Sequence, residues 1–297
     1  MRSDAPASIE SAIDGSAALL PLASGTLSPE QAAELDALTR QIDLATGLSL
    51  SRYKEACFRR RVAVRMRATG AASYQEYAGV LHADPAEYER LLAAVTINVS
   101  RFFRNRDVWR HMAERVLPEL VARPDAFLNL WSAGCAAGEE AYTLAMLLDE
   151  FDRLRPGSGS RRFRLVATDI DPDALDAARA AAYADLGLAE TTDEDRARWF
   201  EAGGPPHRPV DRIRRKAAFW HLDLLAGRYP RGQHLICCRN VIMYFDSESQ
   251  AAILERLHQA LVPGGFLVLG RAESLVGASA TLYDTVSVPL RVYRRRP

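Results

Sequence analysis

The chain has 297 residues, 48% of them apolar and 26% charged, an ordinary composition for a soluble globular protein with one large domain or two modest ones. Its 38 basic and 38 acidic residues cancel, which excludes a global pull toward nucleic acid or an anionic membrane. Apolar runs such as 266–269 and 235–238 are strand-sized, and none approaches the roughly 20 residues of a membrane-spanning helix. Residues 1–10 carry acids and a proline and lack the apolar core of a secretory signal, so the expected location is the cytoplasm. The four cysteines (Cys57, Cys135, Cys237, Cys238) form no C-x-x-C pair and no histidine cluster accompanies them. Neither a metal site nor a disulfide framework is expected; they read as buried small hydrophobes.

Residues 1–34 are rich in Ala, Ser, Gly and Pro and read as a mobile extension with one short helix. Ser28 followed by Pro29 marks a helix start. Residues 35–98 read as an all-helical domain. Leu35, Leu38 and Ile42 recur at helical spacing, and further helices are expected over 53–68, 74–81 and 86–97, punctuated by Gly70 and Asp84-Pro85. From residue 99 the pattern becomes an α/β domain running to 297. Strands at 128–131, 164–167, 235–238 and 266–269 alternate with helices at 139–151, 172–182 and 247–261, which predicts a mostly parallel sheet covered on both faces. A last strand at 287–293 is expected to pair antiparallel with 266–269. The stretch 203–222, opened by Gly203-Gly204-Pro205-Pro206, interrupts the alternation and is expected to form a small inserted antiparallel β-subdomain.

Gly134 to Gly138 sits at the first strand-to-helix junction, where open α/β sheets bind ligands. The two glycines are four apart, so this is not a G-x-G-x-x-G pyrophosphate cradle, and an adenosyl cofactor without phosphates suits it better. Asp169, at the tip of the second strand, is placed to accept hydrogen bonds from a ribose, whereas Asp171 reads as a helix cap. Glu139 opens a helix. The dipole alone explains an acid there, and a contact with a cofactor ammonium group is the other reading.

Two further stretches, Thr96-Ile97-Asn98-Val99-Ser100-Arg101-Phe102-Phe103-Arg104-Asn105 and Cys238-Arg239-Asn240-Val241-Ile242-Met243-Tyr244-Phe245-Asp246, join 132–142 and 168–172. Together they closely resemble the CheR-type chemotaxis-receptor glutamate O-methyltransferases, in the family's order and over residues 36–297. The resemblance implies a Rossmann-like S-adenosyl-L-methionine-dependent methyltransferase sheet, preceded by an all-helical receptor-docking domain. It implies cofactor contacts at Asn98, Ser100 (where the family usually has threonine), Arg104, Glu139, Asp169, Asp223, Leu224, Arg239 and Asn240, with S-adenosyl-L-homocysteine as product. Asp223-Leu224 stands where the family has Asn-Leu, which keeps an acceptor and loses an amide donor. Tyr244 matches an active-site tyrosine. The 200–223 stretch looks a few residues shorter than in members that dock a receptor's C-terminal peptide, so a tether-independent enzyme is expected.

A glutamate carboxylate is already ionised at neutral pH, so no general base is assigned. Arg104 is the candidate for orienting the acceptor carboxylate and Tyr244 for shaping the pocket beside the sulfonium. Between Arg52 and Arg67 seven basic residues face one acid, a net +6 in a neutral protein. Arg59, Arg60, Arg61, Arg65 and Arg67 are therefore expected to dock an acidic receptor helix, with contact to the membrane only through receptors. The neutral total charge and the lack of a reader motif argue against nucleic acid. Two rival readings stay open: a methyltransferase acting on another acidic acceptor, and a cofactor-binding signalling scaffold without activity.

Overall fold

The computed structural model describes residues 20–96, 100–154 and 163–297. The chain divides into two compact units, residues 1–97 and 98–297.

The first unit is all-helical: α1 (Leu20–Ser24), α2 (Pro29–Thr46), α3 (Glu55–Thr69), α4 (Tyr74–Ala83) and α5 (Ala86–Val95). The caps are those the residues dictate. Ser28 and Gln31 form a reciprocal capping box before Pro29. Gly47 and Gly70 close α2 and α3 in the left-handed conformation that glycine adopts without a Cβ penalty. Leu38, Ile42, Val62, Met66, Tyr74, Tyr77, Leu81 and Leu91 form a fully buried core. Residues 20–34, expected to be part of a mobile extension, belong to this unit instead. Leu22 is buried, and its carbonyl accepts hydrogen bonds from Tyr74 Oη (2.9 Å) and Arg59 Nε (2.8 Å). The remainder of the expected extension, residues 1–19, lies outside the described residues.

The second unit opens with α6 (Arg106–His111), which runs through a π-turn at Met112–Val116 into α7 (Leu117–Val121). There follow β1 (Leu128–Ala133), α8 (Glu139–Leu154), β2 (Phe163–Asp169), α9 (Pro172–Ala180), α10 (Asp193–Trp199), α11 (Asp211–Arg214), β3 (Ala217–His221), β4 (Gln233–Cys238), α12 (Ser247–Ala260), β5 (Leu261–Leu269), β6 (Tyr283–Ser287) and β7 (Val292–Arg295). The seven strands form one sheet in the order β3-β2-β1-β4-β5-β7-β6. The first five strands of that order are parallel; β7 runs antiparallel to both β5 and β6. This is the Rossmann-like α/β sheet the alternation predicts. Strand β4 is buried along its whole length, as a central strand covered on both faces must be.

Two details differ from expectation. The 203–222 stretch does not build a separate sheet. Its antiparallel pairing is limited to the bridges Tyr183–His207 and Phe200–Pro209, and Ala217–His221 instead joins the main sheet parallel to β2. The reason is local: α11 reverses the chain, Ile213 is buried in the core, and Ala217 and Phe219 pack over α8 and α9. The expected single last strand is a hairpin, with β7 carrying the pairing to β5.

Candidate active site

The tips of β1, β2, β3 and β4 converge at one end of the sheet, and main-chain contacts tie them together. After β1, Gly134 N and Cys135 N both donate to Thr168 O on β2 (2.8 and 3.0 Å). Asp169 then grips the loop: its Oδ2 accepts from Ala136 N (2.8 Å) and its Oδ1 from Asp171 N (3.0 Å). Asp171 itself caps α9 through Asp173 N and Ala174 N. Leu222 N donates to Asp169 O (2.9 Å), which draws the segment after β3 to the same point. There Asp223 Oδ1 accepts from Leu225 N (2.7 Å), and Leu224 is buried with its carbonyl held by Tyr229 Oη and Arg256. The glycines of the first loop serve packing as well as backbone freedom. A Cβ on Gly134 would stand 2.3 Å from Val241, and one on Gly138 2.9 Å from Ala178, and both residues have positive φ.

Of the carboxylates buried here, Glu139, Glu140 and Asp169 are each in a different state. Glu139 is 6% exposed, its Oε2 meets no hydrogen-bond partner among the described residues, and burial pushes its carboxyl up to about 7. Glu140 is also raised by burial, opposed by Arg239. It accepts from Ser132 Oγ (2.9 Å) and pairs with Arg239 Nη1 (3.3 Å). Asp169 is raised by burial, while its backbone donors pull the other way.

The 100–106 segment is fixed from several sides. Phe102 N donates to Gly187 O, Phe103 N to Thr143 Oγ1 and Asn105 N to Glu190 Oε2. Phe103 and Asn105 both have positive φ; asparagine tolerates this, whereas Phe103 is strained there and depends on these bonds. Phe102 packs edge-on against Tyr183 and Phe200, and Phe103 stacks on Trp199. Arg239 Nη2 donates to Arg104 O (2.8 Å) and Asn105 Oδ1 (3.1 Å), and its guanidinium lies 5.1 Å from the Trp109 ring centroid. Ser100, Arg104 and Tyr244 are half-buried at this end, whereas Asn98 lies outside the described residues.

The structure thus brings Glu139, Asp169, Asp223, Leu224, Arg239, Asn240 and Arg104 to one end of the sheet. Arg239 reaches that end as a buried tie rather than an exposed lid, because its guanidinium is already engaged by Glu140, Arg104 and Asn105. Four supporting residues escape a sequence reading. Glu140 neutralises Arg239. Thr143 accepts from Phe103 and donates to Glu139 O (2.7 Å), one helical turn from Glu139. Tyr183 Oη donates to Ala137 O (2.7 Å). Glu273, 3% exposed, accepts from the amides of Gly270 (2.6 Å), Asn240 (2.8 Å), Val241 (2.8 Å) and Met243 (3.2 Å). Asn240 has positive φ, and Glu273 holds it there. An acid four residues past a strand end was the only available sign.

In the helical unit the five expected docking arginines divide. Arg59 is 7% exposed and donates to Leu22 O, Gly25 O (2.6 Å) and Glu55 (3.2 Å), so it is structural rather than available to a partner. Arg65 holds buried Glu87 through two 2.8 Å bonds and is likewise engaged. Arg60 is exposed; Arg61 and Arg67 are half-buried.

The buried Glu139 Oε2, without a hydrogen-bond partner among the described residues, suits a cation, and the Asp169 oxygens, each holding one backbone amide, keep acceptor capacity for hydroxyl groups. That donor set fits the ammonium and ribose of an adenosylated amino acid. Among the described residues no cluster of His, Cys, Asp or Glu could hold a metal ion, and no helix is long and apolar enough to cross a membrane.

Comparison with known proteins identifies the family. The family model described as "CheR methyltransferase, SAM binding domain" matches residues 98–291, and "CheR methyltransferase, all-alpha domain" matches 33–96. A chemotaxis protein methyltransferase of Listeria monocytogenes is 32% identical over 238 residues, covering 80% of this chain and 88% of the relative. Chemotaxis protein methyltransferase 1 of Pseudomonas aeruginosa is 37% identical over 191 residues, covering 63% and 70%.

Proposed function

The chain belongs to the CheR methyltransferase family, and from that premise we propose that it methylates glutamate carboxylates on chemotaxis receptors, with S-adenosyl-L-methionine as donor. It is an S-adenosyl-L-methionine-dependent methyltransferase of receptor adaptation. The observation that carries this is the match of both family domains, in order, across 33–96 and 98–291, a span that contains all the candidate site residues.

When bound, S-adenosyl-L-methionine supplies a methyl group on a positively charged sulfur. In our reading Glu139 neutralises the amino group of its methionine end, and Asp169 accepts from the ribose hydroxyls. The Asp223-Leu224 segment lies beside the adenine. Asn98, Ser100, Arg239 and Asn240 complete the walls. Arg104 orients the acceptor glutamate, since a guanidinium fork matches a carboxylate. Tyr244 shapes the pocket beside the reacting atoms. The acceptor has an ordinary pKa of about 4.3 and arrives ionised, so the protein's work is alignment and exclusion of water rather than proton removal. Arg60, Arg61 and Arg67 are the docking candidates that remain after Arg59 and Arg65 are assigned to the fold. The enzyme works in the cytoplasm without a receptor tether.

The test is transfer of radiolabelled methyl to receptor-bearing membranes, followed by mild base. Label released as methanol supports a glutamate ester. Label stable to base points to another acceptor, and no transfer by protein that binds the cofactor leaves the scaffold reading.

A further inference from the structure

The same sheet carries a second concavity toward its other end. The crossover from β3 to β4 spans 222–232 without a helix. Alternate residues of β2 and β3 face opposite ways. Ala167, Ala217 and Phe219 pack under α8 and α9, whereas Arg164, Val166, Ala218 and Trp220 lie on the other face, where they are half-buried or exposed. That uncovered face forms a cavity of about 490 Å³ under the first residues of β1 to β4, roughly 13 Å along β1 from the strand tips at about 3.3 Å per residue. Its volume is that of a small-molecule site.

Its lining is chemically one-sided. Arg164, Arg215, Lys216 and Arg231 line it, and no acidic side chain does so among the described residues. Arg215 contacts Asp211, and Lys216 stands 3.9 Å from Asp152, so two of the cations are partly balanced. No ion pair among the described residues engages Arg164 or Arg231; the Arg164 guanidinium rests 3.9 Å from the Phe127 ring centroid. Trp220, 51% exposed, presents an indole face beside these cations.

We propose that this cavity binds a nucleoside phosphate, with the phosphates on Arg164, Arg231 and Lys216 and the base stacked on Trp220. Guanidinium groups match phosphate oxygens, and an indole provides a stacking surface for any base. A cavity of about 490 Å³ is sized for a single nucleotide rather than a nucleic acid strand. The site is distinct from the strand tips and independent of the methyl-transfer reading.

The experiment is calorimetric titration of ATP into the full chain already saturated with S-adenosylhomocysteine, which keeps the nucleotide out of the adenosyl site. Wild type is expected to bind saturably. The double variant Arg164→Ala/Arg231→Ala should weaken binding at least about tenfold. Trp220→Ala should weaken ATP while leaving inorganic triphosphate unchanged. Unaltered S-adenosylhomocysteine affinity in each variant certifies the fold. Absence of saturable binding up to about 1 mM overturns the proposal. So does binding indifferent to all three substitutions, and so does triphosphate binding as tightly as ATP with no effect of Trp220→Ala, which would reduce the cavity to an anion patch.

Discussion

Arg239 meets Glu140 at 3.3 Å beneath the strand tips, with the arginine 5% and the glutamate 7% exposed. The same guanidinium holds the carbonyl of Arg104, so one buried pair joins β4 to the segment that carries the proposed acceptor-orienting arginine. Removing one partner of such a pair leaves a buried charge uncompensated, typically a loss of about 3–5 kcal/mol. Arg239→Met should lower the urea midpoint accordingly, and adding Glu140→Gln should recover part of the loss. A drop below about 1 kcal/mol in the single variant would show that the pair contributes little.

Asp169 spends its two oxygens on Ala136 N and Asp171 N. Asp169→Asn keeps the size but presents an NH2 group to one of those amides. S-adenosylhomocysteine affinity should fall at least about tenfold by calorimetry. Full affinity in a folded Asp169→Asn protein would remove Asp169 from the cofactor site.

The Glu139 carboxyl, raised to about 7 by burial, makes cofactor binding pH-dependent. Its folded pKa lies above its unfolded value, so in the free protein it lowers stability as pH rises from about 4.5 to about 7. The ligand's ammonium requires the ionised form, so affinity should rise as pH climbs through about 7, about tenfold between pH 6 and pH 8. Glu139→Gln should flatten this dependence, weaken binding at pH 8 and stabilise the unliganded protein there. An unchanged pH profile in Glu139→Gln would assign the dependence elsewhere.

Glu273 holds four backbone amides from two loops. Glu273→Ala orphans all four, and each unsatisfied buried donor costs about 1–3 kcal/mol where water does not replace the acceptor. Hydrogen exchange at Asn240, Val241 and Met243 should accelerate sharply, with weaker cofactor binding. Unchanged protection of these amides would show that the loop holds itself.

Receptor docking should separate the arginines of α3. Arg60→Glu/Arg61→Glu should lower kcat/KM for receptor methylation without changing cofactor affinity, because a charge reversal at an encounter surface acts mainly on association. Arg59→Ala should instead lower the thermal midpoint, since it removes the Arg59 bond to the Gly25 carbonyl and leaves Leu22 O to Tyr74 Oη alone. Equal receptor kinetics in the charge-reversal variant would move docking off this helix.

What the sequence disclosed and what it hid follow a physical division. Apolar periodicity, Ser28-Pro29, Gly70 and Asp84-Pro85 disclose the helices because the signals are local. The strand alternation discloses the sheet, and the tips of its strands locate Asp169 and Glu139. The fate of Arg59 was hidden because its acceptors are main-chain carbonyls 34 and 37 residues away, which carry no side-chain label. Glu273 was hidden for the same reason, its donors being anonymous amides. The 217–221 strand was legible as a strand but not as a member of the main sheet, because its neighbour β2 is chosen by packing over α8 and α9.

Asp169, Thr143 and Glu273 all grip peptide groups rather than side chains. The identities of Ala136, Phe103, Val241 and Met243 are therefore not what these bonds read; their amides are. Substitutions at such positions are limited by local volume and backbone preference, while the course of the loops is stored in a few acceptors. An engineer seeking a new acceptor specificity should leave those acceptors intact and vary the residues whose amides they hold.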